Sequence, residues 1–246
     1  MFDATYGAVD LGEVCLVIPA YEEEHTIAEV LERVPKHAAG LVVTPLVVVD
    51  GGHDRTAEVA AGTGTYTCVC AVNRGQGAAL RLGYRLARER GAAYIAIVDA
   101  DGQWDPAELA VLLRPLVDGE ADFVQGSRQL GLALNADPVR AGGVRVFAGL
   151  VSLLTGTRVT DTSSGFRAFR AEVVDDLLLE QDQYQSSELL IGVILAGWRL
   201  AECPVTMRAR IAGSTKKGGN LRYGTRYGWV VLHTWWRERR RRRRES

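Results

Sequence analysis

The chain reads as an α/β fold, a mostly parallel sheet flanked by helices in a single domain, on three observations. Apolar, β-branched runs alternate with helix-like segments through the first half, which is the pattern of βαβ units. Four successive runs end in polar residues, and in open α/β sheets such strand ends share the edge where ligands bind. With 246 residues and 47% hydrophobic side chains, the chain can bury one substantial core without a second domain.

Taken in order, residues 14–19 are expected as the first strand and 23–34 as the helix after it, whose acidic start at Glu22 to Glu24 suits a helix N-terminus. Residues 46–50 make the second strand, 55–61 a helix and 66–72 the third strand. Residues 77–90 read as a helix with Ala, Leu and Tyr on one face, and 93–99 as the fourth strand. Pro106 favours a helix start over 106–117, and 122–126 is the fifth strand. The second half is less regular. An apolar helix over 139–155 carries Arg140 and Arg145; a further helix spans 185–196 and a strand 200–207. A basic, glycine-rich loop covers 213–219, and a helix rich in Tyr and Trp spans 221–236. The expected division is a domain over 1–220, then an amphipathic helix and polybasic tail over 221–246.

A net charge of -1 conceals an uneven distribution. Residues 237–246 hold seven arginines against two glutamates, and no acid occurs from Cys203 to Trp236, so the remaining body is acidic. A basic C-terminal part implies an anionic partner such as phosphate or a lipid head group. An acidic body gives no support to a specific reader of nucleic-acid bases; the alternative that stays open is salt-sensitive, non-specific binding by the arginine tail. The four cysteines lack metal-ligand spacing and are expected as buried, reduced thiols. Neither an export signal nor an apolar run of about 18 residues is present, so the expected location is cytoplasmic, soluble or peripherally membrane-bound.

The fourth strand ends in Asp99-Ala100-Asp101-Gly102-Gln103. Two carboxylates one residue apart at a strand end suit a hard divalent cation bridging nucleotide phosphates. A lone pair of this kind is also a common acidic turn. Three further strand ends accompany it: Pro19-Ala20-Tyr21-Glu22-Glu23, Asp50-Gly51-Gly52-His53-Asp54, and Asn73-Arg74-Gly75-Gln76-Gly77. Later come Gly126-Ser127-Arg128, Asp161-Thr162-Ser163-Ser164-Gly165-Phe166-Arg167 and Glu202-Cys203-Pro204-Val205. Arg210 to Lys216 closes the set, ending in Gly-Ser-Thr-Lys. Together these motifs resemble the family 2 glycosyltransferases, nearest to the dolichyl-phosphate and other polyprenyl-phosphate sugar transferases, over almost the whole chain.

The resemblance implies the GT-A fold, with a nucleotide-binding, Rossmann-like sheet, and a nucleotide-diphosphate sugar donor used with Mg²⁺ or Mn²⁺. Pro19, Tyr21 and Glu23 would line the base and ribose pocket, with Asp50 and Asn73 beside them. Asp99, Ala100 and Asp101 would hold the diphosphate and its cation, with Asp101 the direct ligand and Gln103 a further one. Arg128, Arg210 and Lys216 would supply positive charge, the last two from a loop able to close as a lid. The implied reaction is an inverting hexosyl transfer. If the acceptor is a hydroxyl, a general base is required; Asp161 is the first candidate and Glu188 the second. If it is a polyprenyl phosphate, no base is needed, and Arg140, Arg145 and Arg167 are candidates to dock it.

Two features favour a lipid acceptor and peripheral contact with an anionic membrane. Val144, Phe147, Leu150, Val151 and Leu154 give the 139–155 helix an apolar face. Trp235-Trp236 precede the arginines as an aromatic belt beside a polybasic tail. The alternative acceptor is a soluble hydroxyl compound. A nucleotidyltransferase is disfavoured, because Pro-Ala-Tyr-Glu stands where such an enzyme needs a basic, glycine-rich loop. The second strand end is one residue shorter than the family's usual Asp-Asp-Gly-Ser-x-Asp, and Gln76 stands where lysine is common.

Overall fold

A computed structural model describes residues 2–134, 138–210 and 220–245. The elements follow as α1 (Phe2–Tyr6), β1 (Val14–Ala20), α2 (Ile27–Glu32), β2 (His37–Ala38), β3 (Leu41–Val49), α3 (Thr56–Gly62), β4 (Tyr66–Val69), α4 (Gln76–Glu89) and β5 (Tyr94–Ile97). Then come α5 (Leu109–Val117), β6 (Phe123–Ala133), α6 (Pro138–Thr155), β7 (Arg167–Arg170), α7 (Gln185–Ala196), β8 (Leu200–Met207) and α8 (Asn220–Glu245). The strands form one sheet in the order β2-β3-β1-β5-β7-β6-β8, with β4 also pairing β3. The pairs β4 with β3, β3 with β1 and β1 with β5 are parallel, whereas β7 is antiparallel to both β5 and β6.

The α/β expectation therefore holds: this is a single-domain, mostly parallel sheet with helices on both faces. Strand β1 reads Val-Cys-Leu-Val-Ile-Pro-Ala and is buried throughout, the continuous apolar run required of a strand covered on both sides. One face packs under α4, α7 and α8 through Leu80, Tyr84, Leu190, Tyr227 and Val231. The other packs under α2 and α5 through Ile27, Val30, Leu109, Leu112 and Leu116. Helix α4 crosses β1 closely at Gly83, where any Cβ would collide with Val17. Asp105 caps the turn into α5 by accepting the Ala107 N–H at 3.1 Å.

Several boundaries differ from expectation for identifiable reasons. Helix α2 starts at Ile27, because Glu22 takes a left-handed φ of 51° and the chain turns there instead of entering a helix. Strand β6 continues well past Gly126, carried by pairing of Leu132 and Ala133 with Thr206 and Met207 on β8. Helix α8 runs on through the arginines to Glu245. It also belongs to the body, since Tyr227, Val230, Val231, Thr234 and Glu238 are buried. At the other end of the chain, α1 packs Phe2 and Tyr6 against Tyr66, and the Tyr6 hydroxyl accepts the Thr67 N–H of β4 at 3.1 Å.

Candidate active site

The carboxyl ends of β1, β3 and β5 converge, and each ends in the polar residues noted in the sequence. Asp50, directly after β3, is buried and accepts the Arg74 and Gly75 N–H groups at 2.9 and 2.7 Å. It thereby ties the loop after β4 to the sheet edge, and Asn73 on that loop stays exposed. Gly75 adopts φ 102° in this loop, and a Cβ there would strike the Asp182 carbonyl.

After β5, Asp99 is half-buried and accepts the Gln76 side-chain amide at 2.6 Å. The backbone of Gly165 lies so close that a Cβ would overlap the Asp99 carboxylate. Ala100 is buried. Asp101 is buried too, with Oδ1 accepting the Gln103 N–H at 3.0 Å and Oδ2 paired with Arg210 at 2.7 Å. Arg210 also approaches Glu23 at 3.5 Å, so one guanidinium bridges the ends of β1 and β5. Tyr21 is half-buried and packs its ring near Gly52. Pro19 departs from expectation: β1 extends through Ala20, which leaves Pro19 covered inside the strand opposite Val48.

A second cluster lies where β6 passes Trp104. Arg128 grips Asp161 with Nε to Oδ2 at 2.6 Å and Nη2 to Oδ1 at 3.0 Å, and it donates to the Ser163 hydroxyl at 2.9 Å. Its guanidinium carbon stands 5.5 Å from the Trp104 ring centre. Burial disfavours the charged arginine, but the Asp161 carboxylate outweighs it and holds the pKa above its ordinary value. Asp161 is fully buried and also accepts the Ser163 N–H at 3.1 Å. That setting differs from the expected general base, since both oxygens are committed to a bidentate ion pair.

Glu188 departs further. It is fully buried and accepts the N–H groups of Glu180 and Gln181 at 3.0 Å, while Arg237 of α8 pairs with it at 3.0 Å. It is an internal tie between α7, the preceding loop and α8, too enclosed to meet a substrate. Arg167 is likewise enclosed in the core, donating to the Ser186 carbonyl at 2.6 Å. Burial pushes its guanidinium pKa below the usual value. It is thus a buried bracket for the start of α7, not a docking group on the surface. Arg145 is exposed and donates to Gln129 at 3.2 Å. Arg140 falls within α6, with its side chain outside the described set, and Lys216 and the 213–219 loop lie outside the described residues.

The expected apolar face of α6 turns inward: Val151 is buried, and Phe147, Leu150 and Leu154 pack against the core. Trp235 donates to the Leu154 carbonyl at 2.7 Å, which leaves Trp236 as the exposed member of the pair, with Arg240 3.9 Å over its ring. Among the described residues no helix is long and apolar enough to cross a membrane.

Residues 15–178 match the family described as glycosyl transferase family 2. The chain belongs to this family. It is 32% identical over 204 residues to a dolichyl-phosphate hexose transferase of Haloferax volcanii, covering 83% of this chain and 86% of that protein. It is 31% identical over 220 residues to a polyprenol monophosphomannose synthase of Mycolicibacterium smegmatis, covering 84% and 82%. Among solved structures, glucosyl-3-phosphoglycerate synthase from Mycobacterium tuberculosis, in complex with Mn²⁺, uridine diphosphate and glucosyl-3-phosphoglycerate, superposes with a TM-score of 0.70 at 21% identity, over 92% of this chain and 80% of that one. The protein is a GT-A glycosyltransferase.

Three residues that the sequence motifs contain, without a site role assigned to them, shape this glycosyltransferase's cleft. Glu202 accepts the Thr160 and Asp161 N–H groups at 2.8 and 3.2 Å and so sets the loop that carries Asp161. Gln76 and Gly165 frame Asp99 from two sides. Gly165 had a readable signal in the Ser-Ser-Gly-Phe-Arg run and Glu202 in the Glu-Cys-Pro-Val run, but neither run says which groups the residue holds.

Proposed function

We propose that this glycosyltransferase moves a hexose from a nucleotide-diphosphate sugar to a polyprenyl phosphate, by a single inverting displacement that uses Mg²⁺ or Mn²⁺. One observation carries the choice of acceptor. Both carboxylates the sequence offers as a base are engaged, Asp161 by Arg128 and Glu188 beneath α8. A hydroxyl nucleophile needs a base within hydrogen-bonding reach, whereas an ionised phosphate oxygen attacks without one. The lipid-phosphate names of the two relatives support the same class.

The residues fit a divalent cation. Asp99 and Asp101 offer carboxylate oxygens and Gln103 an amide oxygen, and the pairing of Asp101 with the Arg210 guanidinium supports a cation in the same place. No group of three or more His, Cys, Asp or Glu side chains is arranged for a metal among the described residues. A cation here would complete its shell with diphosphate oxygens, the habit of Mg²⁺. When bound it would stabilise charge on the leaving phosphate as a Lewis acid, an effect of several kcal/mol. Tyr21, Glu23, Asp50, Asn73 and Ala100 would line the nucleotide side. Arg128, Arg210 and Lys216 would balance the diphosphate charge, and Arg140 and Arg145 would meet the acceptor phosphate. The arginine-rich end of α8 supports a peripheral seat on the anionic cytoplasmic leaflet, where each basic residue contributes about 1 kcal/mol.

The test is incubation with labelled nucleotide sugars, polyprenyl phosphate and Mn²⁺ or Mg²⁺, with the anomeric configuration of the product read by NMR. Transfer to the lipid phosphate with inversion is expected; transfer only to soluble hydroxyl acceptors would overturn the reading. Thermal-shift measurement adds a second check. Ligand binding to the folded state at about 100 times Kd stabilises it by about 2.7 kcal/mol, and Asp101→Ala should remove the metal-dependent part of that shift.

A further inference from the structure

Beyond Arg128, β6 inverts the normal burial pattern of a strand. Leu130, Leu132 and Leu134 are 49%, 62% and 52% exposed. Of the small residues between them, Gly131 lies so close to β8 that a Cβ would collide with the Val205 backbone, and Ala133 is in register with Met207. Alternation ordinarily sends the large apolar side chains to the core. Here Leu130 and Leu132 on the outer part of β6, with Leu134 just past its end at Ala133, expose three large apolar side chains within five residues, a span of at most about 13 Å at the usual strand rise. Exposed apolar residues scattered singly need no explanation, but a contiguous set marks an interaction site.

The position of this ridge says what it meets. It starts two residues after Arg128, where the pairing register with β8 shifts between Ser127 and Leu132 and redirects the strand as it leaves the cleft. At the same end Arg145 reaches over from α6 to Gln129, a neutral partner, and among the described residues no carboxylate pairs with it. The surface is therefore cationic at the cleft end and apolar along its length, the complement of a molecule with an anionic head and a hydrocarbon tail.

We infer that Leu130, Leu132 and Leu134 seat the first isoprene units of the acceptor's tail, with its phosphate at the Arg145 end. This rests on the lipid-phosphate reading of the acceptor. The ridge makes chain length a determinant of acceptor affinity, separate from recognition of the phosphate.

The experiment compares a long-chain polyprenyl phosphate in detergent micelles with a water-soluble single-isoprene phosphate, so that no bilayer contributes. Leu130→Gln, Leu132→Gln and Leu134→Gln combined should raise KM for the long-chain acceptor by about tenfold or more, the loss expected from exposing this much apolar contact. The kcat and the unfolding midpoint should stay as they were, and the KM for the single-isoprene phosphate, which reaches only the Leu130 end of the ridge, should rise far less. If the triple variant does not fold, Leu132→Gln alone is read in the same way. An unchanged long-chain KM, or equal loss with both acceptors, overturns the inference. So does an equal effect of Leu153→Gln, at an 82% exposed position on α6, since general surface hydrophobicity would then account for it. If the parent enzyme transfers to neither prenyl phosphate, the acceptor reading fails and takes the ridge with it. If the parent transfers and the triple variant is unaffected, the ridge alone fails.

Discussion

Asp161 shows how one side chain's surroundings decide its chemistry. Its carboxylate is the sole ionic partner described for Arg128; Asp161 is fully buried and the Arg128 side chain is 15% exposed. Asp161→Asn should therefore destabilise the fold by about 3–5 kcal/mol, the usual result of stranding one member of a buried pair, which a denaturant titration would reveal. A general base exposed to substrate would instead lose turnover with little change in stability. Gly165 makes a complementary case. Gly165→Ala would push its new methyl into the Asp99 carboxylate, and a displacement near 1 Å at a reacting site can cost about 100-fold. The expected result is a large loss of kcat/KM with an almost unchanged unfolding midpoint.

Between elements, the C-terminal helix matters more than its composition announces. Arg237 pairs with Glu188 and Glu180, and the buried Glu238 stands beside it. Truncation at residue 237 would leave Glu188 buried without its cation, so loss of residues 237–246 should lower the unfolding midpoint by several degrees, whereas loss of 243–246 should not; calorimetry separates the two. Strands β1, β3, β4 and β5 were legible in the sequence because each is a β-branched run closed by polar residues. Strand β7 was not, since Arg-Ala-Phe-Arg is only two apolar residues between two charges, and its central place between β5 and β6 is what buries Arg167. The outer part of β6 was hidden in the same way, because Leu-Gly-Leu-Ala becomes a strand through pairing with β8. Residue types at the cleft could be read from the chain, but not their engagement. Arg128 meets Asp161 from 33 positions away, and Glu188 is closed off by a helix far later in sequence.

For the molecule as a whole, acid tolerance should be set partly at the antiparallel side of the sheet. Asp122 joins the start of β6 to Arg199 before β8 and to Arg170 on β7. Hydrogen bonds from Arg199 hold its carboxyl down at about 2. A depressed folded-state pKa stabilises the protein above the unfolded carboxylate range, and that contribution fades as pH falls from about 4 through about 2. Stability should drop by roughly 2 kcal/mol across this window, and Asp122→Asn should flatten that part of the profile measured by chemical denaturation. The small helix α1 has an effect at this scale too. By taking the Thr67 N–H with the Tyr6 hydroxyl and setting the Tyr6 ring edge-on to Tyr66, it occupies the rim where β4 would otherwise offer unpaired backbone to another chain. Residues 2–6 thus act as a guard against self-association, and preparations lacking them should precipitate at concentrations the whole chain tolerates.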